Sequence, residues 1–104
     1  MTLHIVSTSP FSTTLFEGVF QRCSKNDGIM LIQDGVYALN HVEVYRQLKE
    51  LNLSLGIACF ALEDDVVARA NQVKSAGADS ELIRCISMED FVALTLDYKA
   101  TISW

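Results

Sequence analysis

A chain of 104 residues, 50% hydrophobic and 20% charged, has the balance of one small globular domain and not of a disordered segment. Its formal net charge of −5 argues against a free-standing nucleic-acid binder, because such proteins concentrate Lys and Arg to displace counterions from phosphates. A core this small gains from burial against neighbouring subunits. The opening Met1-Thr2-Leu3-His4-Ile5-Val6 carries no basic region, and no apolar stretch approaches the ~20 residues of a membrane span, so neither a secretory leader nor a membrane anchor is expected. The three cysteines, Cys23, Cys59 and Cys85, form no CxxC and no zinc-ligand pattern with the two histidines. Reduced thiols in the cytoplasm, and no metal or cofactor, are the expectation.

Thr2 to Ser7 reads as a first strand. Ser9-Pro10 predicts a helix start, with Ser as N-cap and Pro at the first helical position, and Phe11, Leu15, Val19 and Cys23 as its apolar stripe. Ser24-Lys25-Asn26-Asp27-Gly28 is a turn cluster. Ile29-Met30-Leu31-Ile32 predicts a second strand buried on both faces. Gln33-Asp34-Gly35 follows as a structural loop, with Asp34 expected to cap a short helical turn through Leu39.

Val42, Tyr45, Leu48 and Leu51 then define an amphipathic helix. Leu53 to Phe60 reads as a third strand region, and Leu62-Glu63-Asp64-Asp65 as an acidic helix start matched to the macrodipole, lined by Val66, Val67 and Ala70. After a segment broken near Gly77, Leu82 to Ile86 predicts a fourth strand. Ser87-Met88-Glu89-Asp90 resembles a capping box and opens a helix whose apolar side is Phe91, Leu94 and Tyr98. Ala100 to Trp104 alternates as a final strand. This alternation predicts one α/β domain over 1–104, with a mainly parallel four- to five-stranded sheet covered by helices on both faces.

Ligands of such sheets gather beyond the carboxyl ends of the strands. Hydroxyls and N–H groups from Ser7 to Thr14 suit a phosphate or flavin-phosphate contact, but Pro10 removes a donor and Phe11 adds bulk, so a plain helix start is the simpler reading. Asp34 has no acidic pair after the first strand to share a magnesium ion, which favours a cap over a phosphoacceptor. Cys59 and Cys85 fall in apolar strands. Cys23 falls at a helix carboxyl end, where the dipole opposes a thiolate and only Arg22 and Lys25 offset it. Cys23 is therefore the one weak candidate for a catalytic or persulfide-carrying residue. Glu63, Asp64 and Asp65 read as a solvated helix start, with an Asp65–Arg69 ion pair at i, i+4. His4 and His41 read as satisfied strand and loop histidines. Tyr37, Phe60 and Trp104 are the candidate interface residues, Trp being enriched at binding hot spots.

Four stretches together resemble the DsrH/TusB family: Leu3-His4-Ile5-Val6 with Ser9-Pro10-Phe11; Leu31-Ile32-Gln33-Asp34-Gly35-Val36-Tyr37-Ala38; Phe60 to Asp65 with Ala68-Arg69; and Asp90 to Thr95 running on to Ser103-Trp104. The resemblance implies a DsrE/DsrF-like fold and a heterohexamer with TusC/DsrF-like and TusD/DsrE-like subunits. It implies a sulfur relay serving 2-thiolation of the wobble uridine of tRNA, with the transferring cysteine chiefly on the TusD/DsrE-type partner. A DsrH-type place in sulfur oxidation is the alternative pathway. Some DsrH members carry a cysteine in the first helix; aligned on Ser9-Pro10-Phe11, that position is Val19 here. The resemblance therefore implies a non-catalytic subunit, with a sulfurtransferase acting through Cys23 as its rival. Ala70, where many relatives have Gly, and the stretch to Ser80 depart from the family pattern.

Overall fold

The computed structural model describes residues 1–69 and 82–104; the expectations placed on Ala70, Gly77 and the stretch to Ser80 lie outside these residues. Strands β1 (Thr2–Val6), β2 (Gly28–Leu31), β3 (Ala58–Leu62), β4 (Ile83–Ile86) and β5 (Ala100–Ser103) form one sheet in the order β4-β3-β2-β1-β5. Every neighbouring pair is parallel, in registers such as Ile5 with Met30 and His4 with Ile102. The expected mainly parallel sheet is thus wholly parallel. The chain steps outward from β1 to β4 and then returns across the sheet to lay β5 on the far side of β1. Right-handed crossovers place the helix of that return on the face opposite the others.

The two apolar clusters fit that topology. On one face, Val6, Ile29, Leu31, Cys59, Ala61 and Ile83 from the strands bury Phe16 and Val19 of α1 (Leu15–Arg22), Val44 and Leu48 of α2 (Val42–Leu55) and Val66 of α3 (Glu63–Ala68). On the other face, Leu3, Met30, Phe60, Leu62 and Ile86 meet Phe91, Leu94 and Tyr98 of α4 (Met88–Thr95) and the residues just beyond it. Period-2 alternation in the strands sends successive side chains to opposite clusters, which is why β2 is buried throughout.

Two boundaries differ from expectation. α1 begins at Leu15 and not at Ser9-Pro10, because the intervening hydroxyls bond to nearby backbone: Ser9 Oγ accepts from the Phe11 N–H, Ser12 Oγ donates to the Ser9 carbonyl, and Thr13 Oγ1 accepts from the Leu15 N–H. Such local bonds compete with helix. Phe11 consequently lies outside the stripe, exposed, its ring tilted against that of His41 with centroids 4.9 Å apart. The third strand starts at Ala58, since Leu53-Ser54-Leu55 is still helix. Gly56, at φ +66°, ends α2 in the left-handed conformation, with its N–H on the Asn52 carbonyl and the Ile57 N–H on Leu51. Val42 at the start of α2 and Val67 in α3 point to solvent and do not line their helices as expected. The Ser87 cap is present as expected, its Oγ accepting from the Asp90 N–H at 3.1 Å.

Candidate functional site

Burial opposes thiolate formation at each of the three cysteines. Cys23 is half-buried at the carboxyl end of α1 and packs against the larger cluster. Burial, and then the Asp27 carboxylate, push its pKa up to about 11; Arg22 and Lys25 do not reverse this. Cys59 is fully buried in β3, and burial, with Cys23 adding to it, pushes it up to about 12. Cys85 is also raised, by burial and by Glu63. Val19, the position aligned with the family's helix cysteine, is 0% exposed, so even a thiol there would face the core. Among the described residues, no group of three His, Cys, Asp or Glu converges as a metal site.

At the carboxyl ends of β2 and β3 the QDGVYA stretch is built differently from the expected cap. Gln33 to Asn40 is a 3-10 helix whose start carries no side-chain cap bond. Asp34 turns instead to Arg69, its Oδ1 accepting from Nε at 3.1 Å and from Nη2 at 2.9 Å. Arg69 lies over the Tyr37 ring at 5.8 Å and meets Asp65 at 3.6 Å, so the expected Asp65–Arg69 pair exists but shares its cation with Asp34. Asp65 reaches back to accept from the Gln33 N–H at 2.7 Å, which holds Gln33 at φ +49°. Gly35 packs so closely on β1 that a Cβ would come within 2.1 Å of the Val6 carbonyl oxygen. The result is a polar clasp joining β2, α3 and the 3-10 helix.

A second polar assembly was not legible as a unit. Asp27, read only as a turn residue, is 5% exposed and accepts from the Thr2 N–H at 2.9 Å, the Ser24 N–H at 3.0 Å and His4 Nε2 at 3.1 Å. His4 Nδ1 faces the Trp104 indole N–H at 3.2 Å. An indole only donates, so Nδ1 accepts and the ring proton sits on Nε2, toward Asp27. Trp104 is further fixed through its carbonyl, which accepts from both the N–H and the hydroxyl of Ser7, and its ring lies beside Gly18 of α1. Ser7 is thereby engaged within the chain. His41, the other histidine, caps α2 by accepting from the Val44 N–H.

The interface candidates are thus distributed. Tyr37 is half-buried beneath Arg69, Phe60 is 8% exposed under α4, and Trp104 is half-buried on the opposite face.

The chain is a single α/β domain with an all-parallel sheet, and it belongs to the DsrH family: the family described as DsrH like protein matches residues 8–101. Within it, the chain is similar to Protein TusB of Enterobacter sp. (strain 638), 34% identical over 98% of this chain and 99% of that one. It is also similar to Protein TusB of Yersinia pestis (strain Pestoides F), 36% identical with the same coverage of 98% and 99%. Protein Tm0979 from Thermotoga maritima shares the fold at a TM-score of 0.60 and 22% identity, over 95% of each chain. Among the described residues no helix is long and apolar enough to cross a membrane.

Proposed function

We propose that this chain is the non-transferring subunit of a sulfur-relay complex, working beside TusC/DsrF-like and TusD/DsrE-like subunits in 2-thiolation of the wobble uridine of tRNA. The observation that carries this reading is the state of the thiols. A sulfur carrier attacks as thiolate, and a cysteine with a pKa of about 11 is ionised to only about one part in a thousand at pH 8. Membership of the DsrH family supplies the relay context, and the buried Val19 supports the same division of labour. The clasp at Asp34 and Arg69 serves here as an element of shape and not as a centre of chemistry.

The substitution Cys23→Ser tests this. Wobble-uridine thiolation in cells carrying the variant as their only copy is expected to stay within about twofold of wild type, and Cys23 in the native protein is expected to alkylate far more slowly with iodoacetamide than a free thiol does. Loss of thiolation from a variant that still joins its complex would refute the non-transferring role.

A further inference from the structure

His4 lies 1% exposed in the middle of β1, and its two ring nitrogens have partners of different kinds. Nε2 donates to the Asp27 carboxylate at 3.1 Å, and Nδ1 accepts from the Trp104 indole at 3.2 Å. The first contact strengthens with a second ring proton, since imidazolium beside carboxylate is an ion pair. The second contact cannot survive one. With a proton on each nitrogen the ring only donates, the indole only donates, and two N–H groups face each other with no acceptor between them.

The surroundings favour that outcome over loss of the whole network. His4 is the one ion-pair partner of Asp27 among the described residues. Lys25 in the same turn, the amino terminus, and Lys99, whose backbone N–H donates to the Met1 carbonyl, do not pair with it. On α1, Glu17 and Arg22 are exposed, and the Cys23 thiol is held protonated by burial and by Asp27. On the other face the Tyr98 hydroxyl packs on Gly28, its pKa raised as well. The neighbouring strands set Ile29 and Ile102 beside His4. Asp27 is held below the ordinary carboxylate value, so it stays ionised across the range of about pH 5–8 in which histidines ordinarily change charge.

Trp104 is held in two separable ways. Its backbone N–H donates to the Ile5 carbonyl and its own carbonyl accepts from Ser7, without His4. Its indole N–H bonds to His4, and the ring is half-buried beside Gly18, which has no side chain to trap it. The ring can therefore leave while the strand stays.

We infer that His4 and Trp104 form a proton-operated latch: on taking up its second proton His4 keeps Asp27 and releases the indole, and the Trp104 ring swings out from beside α1 while β5 remains in the sheet. Released, the indole is an exposed aromatic group just past the end of β5. The latch goes beyond the subunit reading and does not rest on it.

The test uses the full chain, whose one tryptophan gives a single indole N–H resonance. That resonance and the His4 ring signals, assigned apart from those of His41, are followed by NMR from about pH 8 to about pH 5. The two are expected to change together, with acrylamide gaining access to the Trp104 fluorescence over the same range and circular dichroism unchanged. In His4→Gln the amide takes up no proton, and the Trp104 signals are expected not to depend on pH. A His4 ring that titrates while the indole stays in place would overturn the latch, as would a Trp104 response that persists in His4→Gln. So would a His4 ring that takes up no proton over this range, or a Trp104 response seen only as circular dichroism is lost. Should His4→Gln misfold, the wild-type titration decides by itself.

Discussion

Asp27→Ala is expected to destabilise the protein by roughly 3 kcal/mol, the range found when one partner of a buried polar network is removed. The carboxylate ties together the start of β1, the end of α1 and the His4 ring. Without it two backbone N–H groups and His4 Nε2 lose their acceptor, and the ring is free to turn away from the Trp104 indole. Burial works to raise the Asp27 pKa, but the Ser24 and Thr2 N–H groups and His4 outweigh it and hold it below the ordinary carboxylate value. Its folded value therefore lies under its unfolded one. The stabilisation is fully present above the unfolded pKa of about 4 and is lost as pH falls through the folded value. Urea unfolding between pH 6 and pH 2, followed by the fluorescence of the chain's one tryptophan, checks both points. Asp27→Ala should unfold at lower denaturant and show a flatter acid limb, and an unchanged midpoint would mean that the network carries no stability.

Gly35→Ala is expected to have the next largest effect, about 2–3 kcal/mol, at the upper end of overpacking costs. The atom that a Cβ would strike at 2.1 Å is the Val6 carbonyl oxygen, and the carbonyl carbon lies at 2.9 Å. This is backbone inside a parallel sheet, and the same oxygen accepts from the Ile32 N–H at 3.0 Å, so it has no rotamer to escape into. Relief requires the 3-10 helix to move off β1, which pulls Asp34 from Arg69. The loss should appear in thermal unfolding, and the variant should assemble less well even where it remains folded. A midpoint equal to wild type would show that the helix shifts without penalty.

Local chemistry made most of the fold readable. Thr2 to Val6, Ile29 to Leu31 and Ile83 to Ile86 are short, mostly apolar stretches bounded by turn or cap residues and form strands, and Ser87 caps the helix that its spacing to Asp90 announced. The errors fell where two local signals competed. Pro10 looked like a helix start, but Ser9, Ser12 and Thr13 each bond to nearby backbone and hold the chain out of helix until Leu15. Leu53-Ser54-Leu55 alternates like a strand, whereas Gly56 is the true boundary.

The polar assemblies were less legible, because they are made by contacts distant in sequence. His4 is 23 positions from Asp27 and 100 from Trp104, and Asp34 is 35 from Arg69. One signal was available: a histidine in the middle of an otherwise apolar strand must find a partner if it is buried. Spacing alone does not say which residue that partner is.

The central claim is that this chain helps to hold a sulfur relay together and does not itself carry sulfur. It is tested most directly by loading the co-expressed complex through a cysteine desulfurase and measuring the intact mass of every subunit under non-reducing conditions. The expected result is an assembled complex in which a partner subunit gains sulfur and this chain keeps its unmodified mass. A chain heavier by one sulfur atom, with the addition located on Cys23, would contradict the claim.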